Sequence, residues 1–284
     1  MKRASLILGL MTIVGAAFGQ NSFQQSLSRM KIEQKLGAQV PAEATFRDEM
    51  GKQIRFASLV GKRPIVLLPI FFQCRGVCGK EMDNLLKTVA KMEAPGKDPD
   101  GKELPAWRVG RDFDVVLLSI NPRETPELAM NKKVSLLKVM KGDTNQEGYH
   151  FLTGNMEEIR KVTNAVGFGF DYDEKDGRIN HPSGLMILTA SGKVSQYVLG
   201  ADYPRPLMLQ SLALANQDKI GREAETVLLG CVMIDPVTGE RSLVIKNVVS
   251  LVAGLFAIGL FAWIGTMVVK GRKAAPDGGA PTRA

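Results

Sequence analysis

Cys74 and Cys78, two of the three cysteines, lie between an apolar run, residues 64–72, and a helical pattern that begins at Cys78. Backbone N–H groups and the positive dipole end at a helix start favour thiolate, the form of cysteine that reacts and binds metals. At four-residue spacing on a helical turn, the two sulfurs share one face and can bind one metal ion or form a disulfide. The pair therefore predicts soft-metal or redox chemistry, although two structural cysteines would show the same spacing.

Strands and helices are predicted to alternate around this pair. Residues 65–72 contain no polar side chain, which is typical of a strand buried on both faces of a parallel sheet. A helix follows over residues 78–92, with one apolar stripe. The pattern repeats twice, with strands at 113–120 and 149–152 and helices at 126–140, capped by Thr125, and 156–166.

The remaining segments predict further strands, helices and a loop around this alternating unit. A hairpin is expected over residues 46–56, an exposed loop over 94–105, strands at 168–172, 185–189 and 194–199, and helices at 205–215 and 221–229. We expect a single α/β domain with a mixed central sheet flanked by helices. A thiol pair at the carboxyl end of the first central strand, opening a helix, is the thioredoxin-like arrangement.

Both ends of the chain carry export and membrane signals. Residues 1–19 combine Lys2 and Arg3, a short apolar stretch and small residues, which predicts a signal peptide cleaved after Gly19. The uncharged run from Asn247 to Val269 would reach roughly 34 Å as a helix, enough to span a bilayer. Basic residues follow it at once, so the positive-inside rule puts the C-terminus in the cytoplasm and the folded domain outside it.

These signals divide the chain. We expect a flexible leader at 20–38, the folded domain at 39–229, a membrane-proximal linker at 230–246, the membrane helix at 247–269 and a cytoplasmic tail at 270–284. The formal charge of +8 is concentrated at the two ends. The exported domain is close to neutral without them, and this excludes the basic face that nucleic-acid binding needs.

Four segments in order resemble the Sco/SenC family, the thioredoxin-fold copper chaperones of respiratory oxidase assembly. They are Phe71-Phe72-Gln73-Cys74-Arg75-Gly76-Val77-Cys78; Val115 to Pro122 with Thr125-Pro126-Glu127; Phe151-Leu152-Thr153-Gly154 with Val166-Gly167-Phe168; and Asn180-His181-Pro182-Ser183. The resemblance covers about residues 39–215. The chain departs from the family pattern at Gly79, where proline is usual, at Asn121, where aspartate is usual, and in its C-terminal anchor.

The resemblance implies a copper site. It assigns Cys74 and Cys78 as thiolate ligands and His181 as the imidazole ligand. Two thiolates and an imidazole suit copper, and three protein ligands leave a position open for transfer. The resemblance further implies subunit II of a haem–copper oxidase as the recipient, through its binuclear copper site, and a copper donor or a thioredoxin-like reductant as a second partner.

Other readings of the thiol pair stay open. Cys74 and Cys78 could be the catalytic pair of a thiol–disulfide oxidoreductase that acts on the oxidase copper site or on other exported proteins. Whether the protein is an enzyme is therefore left open. The pair could also form a static disulfide in a binding domain. Zinc suits the same three ligands in vitro.

The other candidate ligands are weaker. His150 begins a predicted strand and is expected to be structural. Cys231 could be buried, could bind copper with Met233 near the membrane, or could form an intermolecular disulfide. The methionines are scattered over predicted apolar faces and are expected to fill the core.

Overall fold

The computed structural model describes residues 30–73, 77–97, 101–139 and 146–224, and six positions between 255 and 263. The strands are β1 Thr45–Arg47, β2 Gln53–Arg55, β3 Ile65–Ile70, β4 Gly96–Lys97, β5 Glu103–Leu104, β6 Asp114–Ser119, β7 Tyr149–Leu152, β8 Asp171–Tyr172, β9 Ile179–Asn180, β10 Gly184–Leu188 and β11 Val194–Leu199. The α-helices are α1 Val77–Met92, α2 Pro126–Val139, α3 Met156–Ala165 and α4 Arg205–Asn216.

Five strands form the central sheet, in the order β11-β10-β3-β6-β7. β3, β6 and β7 are parallel, whereas β10 pairs antiparallel with both β3 and β11. All six residues of β3 and all six of β6 are buried, because helices and loops cover both faces of the sheet. This mixed sheet flanked by helices confirms the predicted α/β, thioredoxin-like class.

Alternate side chains of β3 enter two separate cores. Val66, Leu68 and Ile70 pack with apolar residues of α1, α2 and α4 on one face. Ile65 and Leu67 pack on the other face with α3 and with aromatic residues around the β1–β2 hairpin. Because successive residues of a strand point to opposite faces of the sheet, each residue of β3 packs in one core or the other. Packing on both faces holds the ends of the strand in place.

The structure differs from the sequence expectation at several segments. Residues 30–38, expected to be part of a flexible leader, are bound to the domain: Glu33 N–H donates to Gly167 O at 2.8 Å, and Gly37 N–H donates to Val194 O at 2.8 Å. The loop expected at 94–105 contains the short β4–β5 hairpin. Residues 221–224 are not helical, and the rest of the helix expected at 221–229 lies outside the described residues.

The chain divides into two compact units, one ending at Ala224 and one beginning at Glu225. The signal peptide expected at 1–19 and the linker expected at 230–246 lie outside the described residues, as does most of the expected membrane span at 247–269. The six described positions within that span are helical. No helix made of described residues has the length and apolar character needed to cross a bilayer.

Candidate metal centre

The carboxyl ends of β3 and β6 form the edge of the sheet where the candidate site lies. The β3–β6 ladder continues one bond past β6, where Ile120 N–H donates to Ile70 O at 2.9 Å. Cys74 follows β3 by four residues and lies outside the described residues. Cys78 is the second residue of α1, and its side chain is not described. The predicted strand–cysteine–helix order is therefore present in the backbone.

His181 reaches the same edge through strand topology. β10 runs antiparallel to β3, with Met186 opposite Leu67 and Leu188 opposite Ile65. Residues that precede β10 therefore lie beside residues that follow β3. His181 comes three residues before β10, and its ring lies edge-on to that of Phe71, with a centroid distance of 5.9 Å. Phe71 is three residues before Cys74, so the imidazole is close to the segment that leads into the thiol pair.

The His181 ring is half-buried and held in one orientation. A second aromatic ring, that of Phe168, has its centroid 6.0 Å away. His181 Nδ1 is 2.9 Å from Pro182 O. Because a carbonyl can only accept, Nδ1 carries the proton and the lone pair used in metal ligation is on Nε2. Burial lowers the pKa of His181, which keeps the ring neutral, as a ligand must be, although the Pro182 carbonyl opposes this shift.

Glu124 joins the ends of the two central strands. Its carboxylate accepts hydrogen bonds from Phe72 N–H and Gln73 N–H, both at 2.9 Å, and from the Ser119 hydroxyl at 2.6 Å. The side chain is 6% exposed. Burial raises the pKa of Glu124, and the three hydrogen bonds to the charged form oppose that rise. The carboxylate thus holds the two residues immediately before Cys74.

Glu81 lies on α1, three residues after Cys78, and is 1% exposed. Neither carboxylate oxygen has a hydrogen-bond partner among the described residues, nor does the nearby Tyr203 hydroxyl. Burial raises the pKa of Glu81; the Ser183 side chain lowers it to a smaller extent, without a contact of hydrogen-bond geometry. Burial also raises the pKa of Tyr203, and the charge of Glu81 adds to that rise.

The donor set of the candidate centre fits copper better than a hard cation. Two cysteines and a histidine offer sulfur and nitrogen, which copper prefers to oxygen. The buried carboxyl group of Glu81 has no hydrogen-bond partner among the described residues, so this region holds an unsatisfied polar group that a nearby cation or a proton can balance. Within the part of the chain that the structure describes, no group of three His, Cys, Asp or Glu side chains could hold a metal ion.

Among the described residues, His150 lies apart from this edge. His150 is in β7, level with Val116 of β6, and burial lowers its pKa. Cys231 and Met233 lie outside the described residues. Met82, Met92, Met186 and Met208 are buried, as predicted. Met50 is 75% exposed, so the prediction that it fills the core is wrong: it lies in the turn of the β1–β2 hairpin, away from either core.

Asn121 has a local role that is compatible with either asparagine or aspartate. Its side-chain oxygen accepts a hydrogen bond from Arg123 N–H at 3.0 Å, which closes the turn after β6. Either residue can accept this bond, so the loss of charge leaves the turn intact.

Sequence reasoning missed Glu81 and Glu124. The available signal for Glu124 was its position, since it follows the second parallel strand at the edge where Cys74 follows the first.

Comparison with solved structures finds similar folds. An Aquifex aeolicus VF5 protein with a proposed role in electron transfer matches with a TM-score of 0.53 and 24% identity, over 64% of this chain and 95% of that one. Arabidopsis thaliana ScoI, solved with copper bound, matches with a TM-score of 0.46 and 16% identity, over 63% and 99% of the two chains. BsSco, a member of the Sco family of cytochrome c oxidase assembly proteins, matches with a TM-score of 0.49 and 18% identity, over 65% and 97%.

Sco proteins are thus among the solved structures that this chain is similar to. No protein-family model and no curated protein sequence matches it. At identities below 25%, the likeness to solved structures establishes the shared fold.

Proposed function

We propose that this protein is a membrane-tethered copper chaperone whose folded domain lies on the extracytoplasmic side. Cys74, Cys78 and His181 would bind the ion. The recipient would be the binuclear copper site of subunit II of a haem–copper oxidase. The open fourth position of a three-ligand site suits an ion that must be passed on.

One observation carries the copper proposal. The His181 ring lies edge-on to Phe71, 5.9 Å between centroids, although the two residues are far apart in sequence. This position puts an imidazole at the end of the strand that precedes the cysteine pair, where a third ligand would be needed. Its protonated Nδ1 and lowered pKa match the neutral Nε2 ligand that a soft-metal site requires.

The test is copper stoichiometry in the purified, reduced protein. We expect close to one copper ion per wild-type chain, and loss of that ion in Cys74→Ser and in His181→Ala. X-ray absorption on the loaded protein should count two sulfur neighbours and at least one nitrogen neighbour. His150→Ala is the matched control, because it removes the other histidine from a different edge of the sheet. Equal copper retention in Cys74→Ser and wild type would reject the proposal.

A thiol–disulfide oxidoreductase is the second candidate, supported by the position of Cys78 in the first turn of the 16-residue helix α1. That position favours thiolate. In this function Cys74 and Cys78 would exchange two electrons and two protons with a partner disulfide, and His181 would not be required. If His181→Ala abolishes oxidase assembly while the pair still exchanges with glutathione at the wild-type rate, the chaperone function is favoured over this one.

A further inference from the structure

The chain needs a hydrogen-bond acceptor where β3 ends. Within β3 the backbone N–H groups are paired with neighbouring strands, and the last bond of the β3–β6 ladder joins Ile120 to Ile70. Phe72 and Gln73 come after that bond, in a turn. Phe72 is buried, and a buried N–H group with no acceptor is costly, so something other than a strand must accept its hydrogen bond.

Glu124 supplies that acceptor. One carboxylate oxygen accepts a hydrogen bond from the Phe72 N–H and the other accepts one from the Gln73 N–H, so the side chain binds two consecutive peptide groups. The Ser119 hydroxyl, at the end of β6, donates to the oxygen that Phe72 also uses. The carboxylate is therefore fixed from its own strand while it holds the neighbouring one.

The segment held in this way also contacts the imidazole. Phe71 lies against His181, and Phe72 is 3% exposed, with its ring 5.7 Å from that of Phe151 in the core. Residues 71–73 are thus fixed by Glu124 through the backbone and by the core through Phe72. A shift of this segment would move Phe71 against His181 and would move the start of the chain that carries Cys74.

We propose that Glu124 is a positioning residue of the copper site, acting through residues 71–73 on both the thiol pair and His181. This inference rests on the proposed copper-binding function. Groups outside the ligand shell that orient metal ligands typically change metal affinity by about 10–100-fold when they are replaced. Glu124 does not itself bind the ion in this role.

The experiment compares Glu124→Gln with Glu127→Gln in the full-length protein. Glutamine keeps the shape of the side chain but puts an NH₂ donor where one backbone N–H needs an acceptor. Glu127 is exposed on α2, three residues away, so the same chemical change there is a matched control. We expect copper dissociation constants, measured by competition with a chelator, to rise at least tenfold in Glu124→Gln and to stay within twofold of wild type in Glu127→Gln.

Two further readouts separate positioning from general destabilisation. The Cu(II)–thiolate absorption band should shift in Glu124→Gln at a temperature where circular dichroism shows a folded protein. The equilibrium of the Cys74–Cys78 thiols with oxidised glutathione, which takes up their two electrons and two protons, should also change. A tenfold change in that equilibrium corresponds to about 30 mV for a two-electron couple.

The outcomes are distinct from those that test the copper function. If wild type binds copper and folded Glu124→Gln matches it in affinity, absorption band and glutathione equilibrium, the inference is overturned while the copper function stands. If wild type binds no copper, the copper function fails and with it the role of Glu124 in a copper site; a changed glutathione equilibrium in Glu124→Gln would then support only the part of the inference that concerns the thiol pair, and an unchanged one would overturn that part too. If Glu124→Gln does not fold, Ser119→Ala, which removes one of the three hydrogen bonds, takes its place, and wild-type behaviour in it overturns the inference.

Discussion

Glu81 combines two features that seldom occur together, a titratable side chain and nearly complete burial without hydrogen-bond donors among the described residues. A buried carboxylate without donors destabilises the fold, since water would solvate it in the unfolded chain. Burial raises the pKa of Glu81, so the folded protein binds the carboxyl proton more tightly than the unfolded chain does. Glu81, which lies near the candidate metal centre, therefore reduces the stability of the metal-free protein.

Glu81→Gln should stabilise the metal-free protein at neutral pH by about 1 kcal/mol, because glutamine has the same shape and no charge. The sign follows from linkage. The pKa of Glu81 is near 4.5 in the unfolded chain and is raised in the folded protein. The free energy of unfolding of the wild type therefore falls as the pH rises from the first value to the second. Above the folded pKa, the loss of stability relative to Glu81→Gln is constant. Urea unfolding of both proteins from pH 4 to pH 8 measures the difference, which should vanish at the acid end.

Asp83→Asn is the matched control for Glu81→Gln, because Asp83 is exposed on the same helix. Its substitution should leave the free energy of unfolding within about 0.5 kcal/mol of wild type at every pH. A Glu81→Gln protein that is less stable than wild type across the whole range would show that the carboxylate is satisfied in the folded protein.

At the scale of elements, apolar patterns predicted the central strands to within two residues. Residues 65–70 carry only apolar side chains, and 115–118 do too, between Asp114 and Ser119, so burial on both faces was evident from the sequence. The binding of residues 30–38 to the domain was not evident, since it uses main-chain groups such as Glu33 N–H and Gly167 O beside the packing of a few scattered apolar side chains. Such bonds leave no trace in side-chain polarity.

The candidate site likewise contains residues that the sequence predicted and residues that it did not. Cysteine and histidine are rare in this chain and are therefore easy to single out, and the resemblance to a family motif predicted that His181 lies near Cys74 and Cys78. Glu124 was not predicted, because its partners are the main-chain N–H groups of Phe72 and Gln73, and every residue except proline has such a group. Identifying it requires the ends of β3 and β6 to be located in space.

Gly167 is where the bound N-terminal segment can be tested. Its φ is +67°, and a Cβ atom there would lie 1.8 Å from Glu33 O, the residue whose N–H donates to Gly167 O. Gly167→Ala should therefore destabilise the protein by about 2–4 kcal/mol, from strained backbone and a displaced segment. Urea unfolding measures the loss, and proteolysis should cut residues 30–38 faster in the variant.

Gly61→Ala separates the two causes in that prediction. Gly61 has φ +93° and open space where a Cβ would lie, so alanine there adds backbone strain alone. We expect a loss of about 1–2 kcal/mol and no change in proteolysis of residues 30–38. Equal losses in Gly61→Ala and Gly167→Ala would mean that contact with Glu33 contributes nothing to stability.

At the scale of the whole molecule, the proposed function depends on which side of the membrane the thiol pair is on, since exported thiols meet oxidants and cytoplasmic thiols are kept reduced. We expect alkaline phosphatase, which is active only after export, to be active when fused after Ser242 and inactive when fused after Ala284. The full-length protein should fractionate with membranes, and a chain ending at Ser242 should be released with the periplasmic fraction. Activity of the fusion after Ala284, or a chain ending at Ser242 that stays with the membrane, would contradict the C-terminal anchor and its orientation.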